Sequence, residues 1–387
     1  MKGQRSVVLA VVLVLLALAP GAHAQLAVSV NDNKVVLVNG TVKTVPNGPP
    51  DTITVIDLGA RPPKVVAEVA AGGSVVGPPL SVALTPDEGL ALVTVNQKID
   101  PADPSKQTAD NRLLVIDLKT SPPAVIATLE TGRAPAGVSI NRQGTLALVA
   151  NREEGSVSVF TIQGQTVTPA GKVTVGDAKS GTSHVAIAPN GKLALVTRDG
   201  DDRISVLSID GTRVEYTKRD VYAGLRPYPI DIAASGAFAA VANIGKANGD
   251  IDTLSLIDLR GAQPRVVDTV SIGAQSPEGA KVSPDGSLVA VVAQDGSNRP
   301  KESPYYHDNG KLVLFRVTGV SLARIAEAPI GHWSQGVAFS ADGRTIVIGN
   351  MVEKDLWVFE WNGSTLRDTG QRIKVDGGSA AIRTADR

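Results

Sequence analysis

One short stretch decides the fold: residues 136–160 read AGVSINRQGTLALVANREEGSVSVF. An apolar strand runs into a tight turn at Asn141–Gly144, a second apolar strand ends at Asn151, and a third strand follows at Ser156–Phe160. Gly tolerates the positive φ that such turns require, and Asn and Asp favour turns through side-chain bonds to nearby backbone. The stretch therefore predicts antiparallel strands joined by short connections, with Asn151 bonded to nearby backbone.

The same pattern recurs along the chain, and a fourth strand rich in β-branched residues follows in places, as in Ala124–Leu129. The turn glycines lie about 45 to 57 residues apart, which is typical of propeller blades of four short strands. The turn glycines are Gly89, Gly144, Gly191, Gly236, Gly286 and Gly343. The pattern predicts an all-β protein, a β-propeller of four-stranded antiparallel blades.

The two ends of the chain together carry the strands expected of the first blade. Leu26–Asn31 matches the second strand of the repeat, so the first blade lacks its first strand at the N-terminal end. Gly377–Ile382 resembles the first strand Ala136–Ile140. An unclosed array would leave open strand edges, which proteins avoid. We therefore expect the C-terminal strand to close the first blade, which brings the count to seven blades.

Composition excludes several classes of protein. Lys+Arg and Asp+Glu both number 38, so no bulk charge would attract nucleic acid. The absence of Cys excludes disulfides, thiolate catalysis, Fe–S clusters and covalent c-type haem. Three His remain after residue 24 without short ligand spacing, so we expect neither a metal site nor another cofactor.

The N-terminus has the pattern of a secretory signal. Lys2 and Arg5 are followed by the apolar run Val7–Ala19, and Ala22–Ala24 fits a small-x-small cleavage site. The sequence predicts a signal peptide at residues 1–24 and a single propeller domain at residues 25–387. The mature protein is expected in the periplasm or outside the cell, with no integral membrane segment after cleavage.

Strand direction sorts the connections into two faces. The tight Gly turns lie at one end of the blades, here called the turn face. The second-to-third loops and the crossings between blades lie at the other, here called the loop face. Four long loops fall on the loop face: Gly40–Asp51, Gln97–Asn111, Ile244–Asp252 and Gln294–Gly310. Long loops on a rigid scaffold commonly carry binding sites, so the loop face is the predicted functional face.

The crossings enter the innermost strands, so their side chains are expected around the central mouth. They carry Arg133, Ser183, His184, Arg226, Tyr228, Glu278, His332 and Trp333. As ligand-binding residues we predict Arg133, Arg226, Tyr228 and Trp333, because cations and large rings suit ligand contact. Trp333 has an alternative role, which is packing beneath its own loops.

The repeat resembles the YVTN-type repeat, as in Leu148–Asn151 and Leu92–Asn96, and is similar to that of 6-phosphogluconolactonase-like propellers. The resemblance covers nearly all of the mature chain and implies catalytic His, Arg and Glu residues in the central mouth. The candidate catalytic residues are His184, Glu278 and His332. For His184 an inter-blade hydrogen bond is the alternative.

Two functions remain open at this stage. The first is an exported binding propeller that takes a small molecule, a partner protein or an envelope component at its central mouth. The second is a lactonase-like hydrolase, in which a base activates water and a cation holds the carbonyl oxygen.

Overall fold

The structure, a computed structural model, describes residues 25–387. The predicted signal peptide at residues 1–24 lies outside this range. The described chain forms seven four-stranded antiparallel sheets and one separate two-stranded hairpin. First strands of neighbouring sheets contact each other all around the ring. The predicted all-β, seven-bladed propeller is therefore confirmed, with the first strand of each blade nearest the axis.

Each blade consists of consecutive strands except the first. From the axis outward, blade 1 is β30 (Gly378–Thr384), β1 (Leu26–Asp32), β4 (Thr52–Asp57) and β5 (Lys64–Ala70). Blade 2 is β6 (Val82–Leu84), β7 (Leu90–Ile99), β8 (Gln107–Asp117) and β9 (Ala124–Glu130). Blade 3 is β10 (Pro135–Ile140), β11 (Leu146–Asn151), β12 (Ser156–Gln163) and β13 (Thr166–Thr174). Blade 4 is β14 (Thr182–Ile187), β15 (Leu193–Arg198), β16 (Arg203–Asp210) and β17 (Arg213–Val221).

The remaining blades follow the same order. Blade 5 is β18 (Pro227–Ile232), β19 (Phe238–Asn243), β20 (Thr253–Asp258) and β21 (Arg265–Ser271). Blade 6 is β22 (Pro277–Val282), β23 (Leu288–Ala293), β24 (Gly310–Thr318) and β25 (Ser321–Ile330). Blade 7 is β26 (Ser334–Phe339), β27 (Thr345–Asn350), β28 (Asp355–Trp361) and β29 (Leu366–Lys374). The hairpin β2 (Val35–Val38) and β3 (Thr41–Thr44) is inserted in the first blade.

The C-terminal strand closes the ring as predicted. β30 pairs antiparallel with β1, and Ala381 lies opposite Val30. The hydroxyls of Ser29 and Ser379 are 2.9 Å apart across this seam. Because β30 supplies the innermost strand of blade 1, β1 is paired on both sides and keeps no open edge.

The hydrophobic core lies between blades. Val30 of blade 1 packs with Val82 and Val93 of blade 2, and Leu148 of blade 3 packs with Val196 of blade 4. Second strands such as Leu146–Asn151 are buried throughout, whereas outer strands such as Lys64–Ala70 are largely exposed. Strands covered on both faces are apolar on both faces, which explains the continuous apolar runs in the sequence.

The asparagine that ends the second strand does not form the predicted bond to nearby backbone, because its partners lie on the third strand and in the crossing. The Asn151 side-chain amide donates to the hydroxyls of Ser156 and Ser158, at 2.9 Å each. Its carbonyl oxygen accepts the N–H of Gly132 at 3.0 Å. A Cβ at residue 132 would lie 2.6 Å from Asn151 Cγ, so only Gly fits there. Asn151 thus connects the third strand to the crossing that enters the same blade.

No helix long and apolar enough to cross a membrane is found among residues 25–387. The same part of the chain contains no group of three or more His, Asp or Glu side chains placed to hold a metal ion.

Candidate functional site

The crossings share a backbone conformation that builds the central mouth. The residue just before the first strand has left-handed φ in blades 3, 5, 6 and 7: 55° at Ala134, 56° at Arg226, 52° at Ser276 and 50° at Trp333. In blades 3, 5 and 6 its carbonyl accepts the N–H of the residue that follows the second strand, as from Arg152 to Ala134 at 2.9 Å and from Ile244 to Arg226 at 3.1 Å. This bond brings the crossing and the second-strand end together at the mouth.

The pairing register then shifts at the start of the first strand in each of blades 3 to 7, which marks a β-bulge or irregularity. The register shifts between Thr182 and His184 in blade 4, between Pro227 and Ile230 in blade 5, and between Pro277 and Gly279 in blade 6. Bulges bend a strand and change the direction of its side chains. The residues within these irregular segments include Ser183, Tyr228 and Glu278, which belong to three successive blades.

A single buried carboxylate organises the site. The side chain of Asp199 is 2% exposed, and it accepts hydrogen bonds from Arg152 at 2.6 and 3.0 Å. Arg226 Nη2 donates to the same carboxylate at 3.0 Å, and the Ser183 hydroxyl donates to it as well. Burial acts to raise the pKa of Asp199, but these hydrogen bonds outweigh it and hold the pKa below its ordinary value. Two guanidiniums on one carboxylate leave a net positive charge.

Tyr228 and Glu278 lie beside this cluster. The Arg152 guanidinium carbon is 5.7 Å from the centroid of the buried Tyr228 ring, within the range of a cation–π contact. Burial raises the pKa of the Tyr228 hydroxyl well above its usual value, and the charge of Glu278 raises it further. The phenol is therefore neutral at physiological pH and can donate a hydrogen bond.

Glu278 has the pKa of a group that titrates near neutrality. Burial raises the pKa of Glu278 to about 8, although Arg226 and Arg152 act to lower it. Gln294 Nε2 donates to its carboxyl group at 3.2 Å, and the side chain remains partly exposed. Below this pKa the carboxyl group is protonated and adds no negative charge to the mouth. Above it, Glu278 is a base beside two cations.

Three of the predicted residues, Arg226, Tyr228 and Glu278, thus lie in one group. Arg133 and His332 do not join them. Arg133 Nε donates to Glu153 of its own blade at 2.6 Å, and its side chain is 59% exposed. His332 Nδ1 lies 2.6 Å from Glu353 of its own blade. Both occupy the position before the left-handed residue, which directs the side chain toward the second-to-third loop.

His184 and Trp333 are buried elsewhere. His184 lies between blades, where a Cβ at residue 137 would be 2.1 Å from its Nδ1 atom. Burial lowers the pKa of His184 well below 6.5, so the ring is neutral, and its Nδ1 has no hydrogen-bond partner among residues 25–387. Trp333 is 7% exposed and packs with Val35 and Met351 beneath the hairpin β2–β3.

Arg152 and Asp199 were not predicted as site residues. Each is the first residue after the second strand of its blade, β11 or β15. The sequence carries a usable signal at this position, because the residue after the second strand is a cation in blade 3 and an anion in blade 4. Arg198, which replaces the Asn in blade 4, does not face the mouth and donates instead to Val175 O at 2.7 Å.

No family model matches the sequence, and no curated protein matches it. Solved propellers share its fold. A putative 6-phosphogluconolactonase from Bacteroides fragilis has a TM-score of 0.70 at 14% identity, covering 95% of this chain and 99% of that chain. The periplasmic gluconolactonase of Pseudomonas aeruginosa has a TM-score of 0.69 at 17% identity, covering 94% and 99%.

A protein of unknown function from Desulfotomaculum acetoxidans is similar to the same degree, with a TM-score of 0.67 at 16% identity, covering 94% of this chain and 99% of that chain. At these identities the likeness shows the fold alone. The resemblance to 6-phosphogluconolactonase-like propellers is therefore confirmed for the fold, and the YVTN-type repeat stays a prediction.

Proposed function

We propose that this propeller binds a small anionic molecule at the loop-face mouth, through Arg152 and Arg226. The observation that carries the proposal is the sharing of Asp199 by both guanidiniums, at 2.6 and 3.0 Å. One carboxylate cannot neutralise two cations, and the neighbouring Glu278 is protonated at neutral pH because burial raises its pKa to about 8. The uncompensated charge favours an anionic ligand, and guanidinium groups suit carboxylates and phosphates.

Tyr228 supports the same proposal, because its buried ring offers apolar contact and its hydroxyl can donate to a ligand oxygen. The protein would act outside the cytoplasm, in the periplasm or as a secreted protein. That location is supported by the signal pattern at residues 1–24 and by the shared fold of a periplasmic gluconolactonase.

Calorimetric titration with gluconate and 6-phosphogluconate tests the binding proposal. Arg226→Gln and Arg152→Gln should each weaken binding about tenfold, the effect of losing one hydrogen bond to a charged group. The matched controls Arg213→Gln, from an exposed ion pair with Glu215, and Asp285→Asn, on the turn face, should bind normally. Equal losses in the mouth variants and the controls would contradict the proposal.

Lactone hydrolysis is a second candidate, favoured by the pKa of about 8 at Glu278 beside Arg226 and Arg152. Ionised Glu278 would take a proton from water while the water oxygen bonds to the lactone carbonyl carbon. A guanidinium would stabilise the resulting oxyanion. The ring C–O bond then breaks, Glu278 returns the proton to the leaving oxygen, and a hydroxy acid is formed.

Opening of glucono-δ-lactone, followed by acid release in a weakly buffered indicator solution, tests this second candidate. Wild type should accelerate the reaction with a rate that rises toward pH 8, and Glu278→Gln should remove the acceleration. A wild-type rate equal to the uncatalysed rate would exclude hydrolysis of this lactone and leave the binding proposal to its own test.

A further inference from the structure

The chain that follows β30, residues 385–387, lies at the turn-face end of the central channel. Residues of all seven blades surround a cavity of about 200 Å³ there, and residues 385–387 line it as well. The strand pairing of β30 ends at Thr384, so this segment is not part of the sheet of blade 1. It is a separate piece of chain at the end of the channel, here called the plug.

Three polar contacts fix the plug to different sides of the ring. Asp386 pairs with Lys281 of blade 6 at 2.8 Å. Arg387 pairs with Glu88, in the first turn of blade 2, at 2.6 Å. Arg142 of blade 3 donates to the main-chain oxygen of Arg387 at 2.5 Å. In a ring of seven blades, blade 6 lies opposite blades 2 and 3, so the plug spans the channel end and does not follow one wall.

The carboxylate of Asp386 is held by two buried cations. It accepts hydrogen bonds from Lys281 at 2.8 Å and from Arg383 at 2.5 Å. The side chains of these two cations are 13% and 3% exposed. Burial acts to raise the pKa of Asp386, but Arg383 and Lys281 outweigh it and hold the pKa far below its ordinary value. The carboxylate is therefore ionised, and it is bound as a small organic acid would be.

The charges at this end of the channel balance only when Asp386 is present. Lys281 also pairs with Asp231 at 3.1 Å. Arg383 donates to Val138 O at 3.0 Å, and its Nε has no hydrogen-bond partner among residues 25–387. Without Asp386, two buried cations would share the single carboxylate of Asp231. One positive charge would then remain beside the cavity, which favours the entry of an anion.

We propose that Lys281 and Arg383 form a carboxylate-binding site that Asp386 of the plug occupies, and that a small carboxylate from solution binds there when the plug is withdrawn. Because Asp386 is tethered, its effective concentration is of millimolar order, so the filled site is the resting state. The site is distinct from the mouth, because Glu278 and Lys281 are three positions apart on β22, which corresponds to about 10 Å along a strand.

Replacement of Asp386 tests the site, with formate as the probe because it has the size of the carboxylate that is removed. Asp386→Ala should melt at a lower temperature than wild type in sodium chloride. Sodium formate at the same ionic strength should raise the melting temperature of the variant by about 1–3 °C, with saturation in the millimolar range. Wild type, whose site is filled, should melt at the same temperature in both salts.

Matched variants separate binding at this site from a general effect of the salt. Asp386→Asn keeps the volume of the side chain, so formate should not raise its melting temperature. Lys281→Met, added to Asp386→Ala, removes one of the two cations and should abolish the response to formate. Glu215→Ala removes a carboxylate from an exposed ion pair with Arg213 and should behave as wild type does in both salts.

Deletion of residues 385–387 removes the plug and leaves β30 intact, so this variant should respond to formate as Asp386→Ala does. The proposal is overturned if formate raises the melting temperature of Asp386→Ala no more than that of wild type. It is also overturned if the variant that combines Asp386→Ala with Lys281→Met keeps the response. If Asp386→Ala does not fold in chloride, the yield of refolding is compared in the two salts, and equal yields would equally overturn the proposal.

Discussion

Arg152 of blade 3 and Asp199 of blade 4 form a bidentate ion pair at the mouth, with hydrogen bonds of 2.6 and 3.0 Å. The two residues occupy the same position in their blades, directly after the second strand. The pair therefore joins neighbouring blades where no strand connects them. Arg226 of blade 5 donates to the same carboxylate, so one buried side chain connects three blades.

Removal of that carboxylate should destabilise the protein. Asp199→Ala leaves the guanidiniums of Arg152 and Arg226 without their shared carboxylate, and breaking a buried ion pair costs about 3–5 kcal/mol. Urea denaturation measures the free energy of unfolding. Arg213→Ala, which breaks an exposed pair with Glu215, should change it by less than about 1 kcal/mol. Similar losses in both variants would show that Asp199 does not organise the mouth.

Glu278 should make stability fall as the pH rises. Its pKa is raised from 4.5 to about 8 in the folded state, so the folded protein keeps a proton that the unfolded chain loses. The stabilisation is complete below about pH 4.5 and is lost as the pH rises to about 8. Glu278→Gln removes this titration, so the melting temperature of the variant should rise relative to that of wild type as the pH increases from about 4.5 to about 8. A constant difference from pH 5 to 8 would contradict the raised pKa.

His184 should have the opposite pH dependence. Burial lowers the pKa of His184 well below 6.5. As the pH falls below about 6.5, the unfolded chain therefore binds a proton that the folded protein does not bind. The stabilisation is complete above about pH 6.5 and is lost as the pH falls below it. His184→Gln cannot titrate, so its stability relative to wild type should rise as the pH falls from 7 to 5. An unchanged difference would indicate that His184 is accessible and charged in the folded protein.

Ring closure should depend on β30. Deletion of residues 377–387 exposes the edge of β1, so the protein should melt at a lower temperature and self-associate in size-exclusion chromatography. A milder test is Ile382→Ala, because this side chain is 1% exposed and its loss should cost about 2–4 kcal/mol. Ile126→Ala, on an outer strand at 43% exposure, is the control and should cost about 0.5 kcal/mol or less. An unchanged melting temperature after the deletion would refute closure by β30.

Trp333 should act mainly on stability. Its buried ring packs with Val35 and Met351, so Trp333→Ala should cost about 3–5 kcal/mol by the loss of a large core side chain. Limited proteolysis of the hairpin β2–β3, which the ring supports, should become faster. Trp333→Phe keeps part of the contact and should lose less. If Trp333→Ala keeps its stability but loses gluconate binding, Trp333 is a ligand-binding residue, as predicted from the sequence.

The sequence was sufficient for the scaffold because the scaffold depends on local patterns. Turns such as Asn141–Gly144 have chemistry that can be read residue by residue, and the apolar runs between them have strand length. Closure of the ring also followed from the sequence, because a first blade that begins at its second strand needs a partner. Gly377–Ile382 was the segment with the matching pattern.

The sequence also placed candidate residues in the crossings but could not tell in which direction each side chain points. Arg133 and His332 face acidic residues of their own loops, and His184 faces the neighbouring blade. Arg226 and Glu278 face the mouth. These directions depend on left-handed backbone at the crossing and on the bulge after it, and neither feature has a constant residue in the repeat.

The sequence by itself therefore determined the all-β repeat, the seven blades and the closing strand. Only the tertiary structure decided which charged side chains lie close together. Arg152, Asp199 and Glu278 come from three different blades, and burial of Glu278 among them raises its pKa to about 8. The strength of a charge interaction depends on distance and on the exclusion of water, and both are set only when the ring closes and brings distant segments of the chain together.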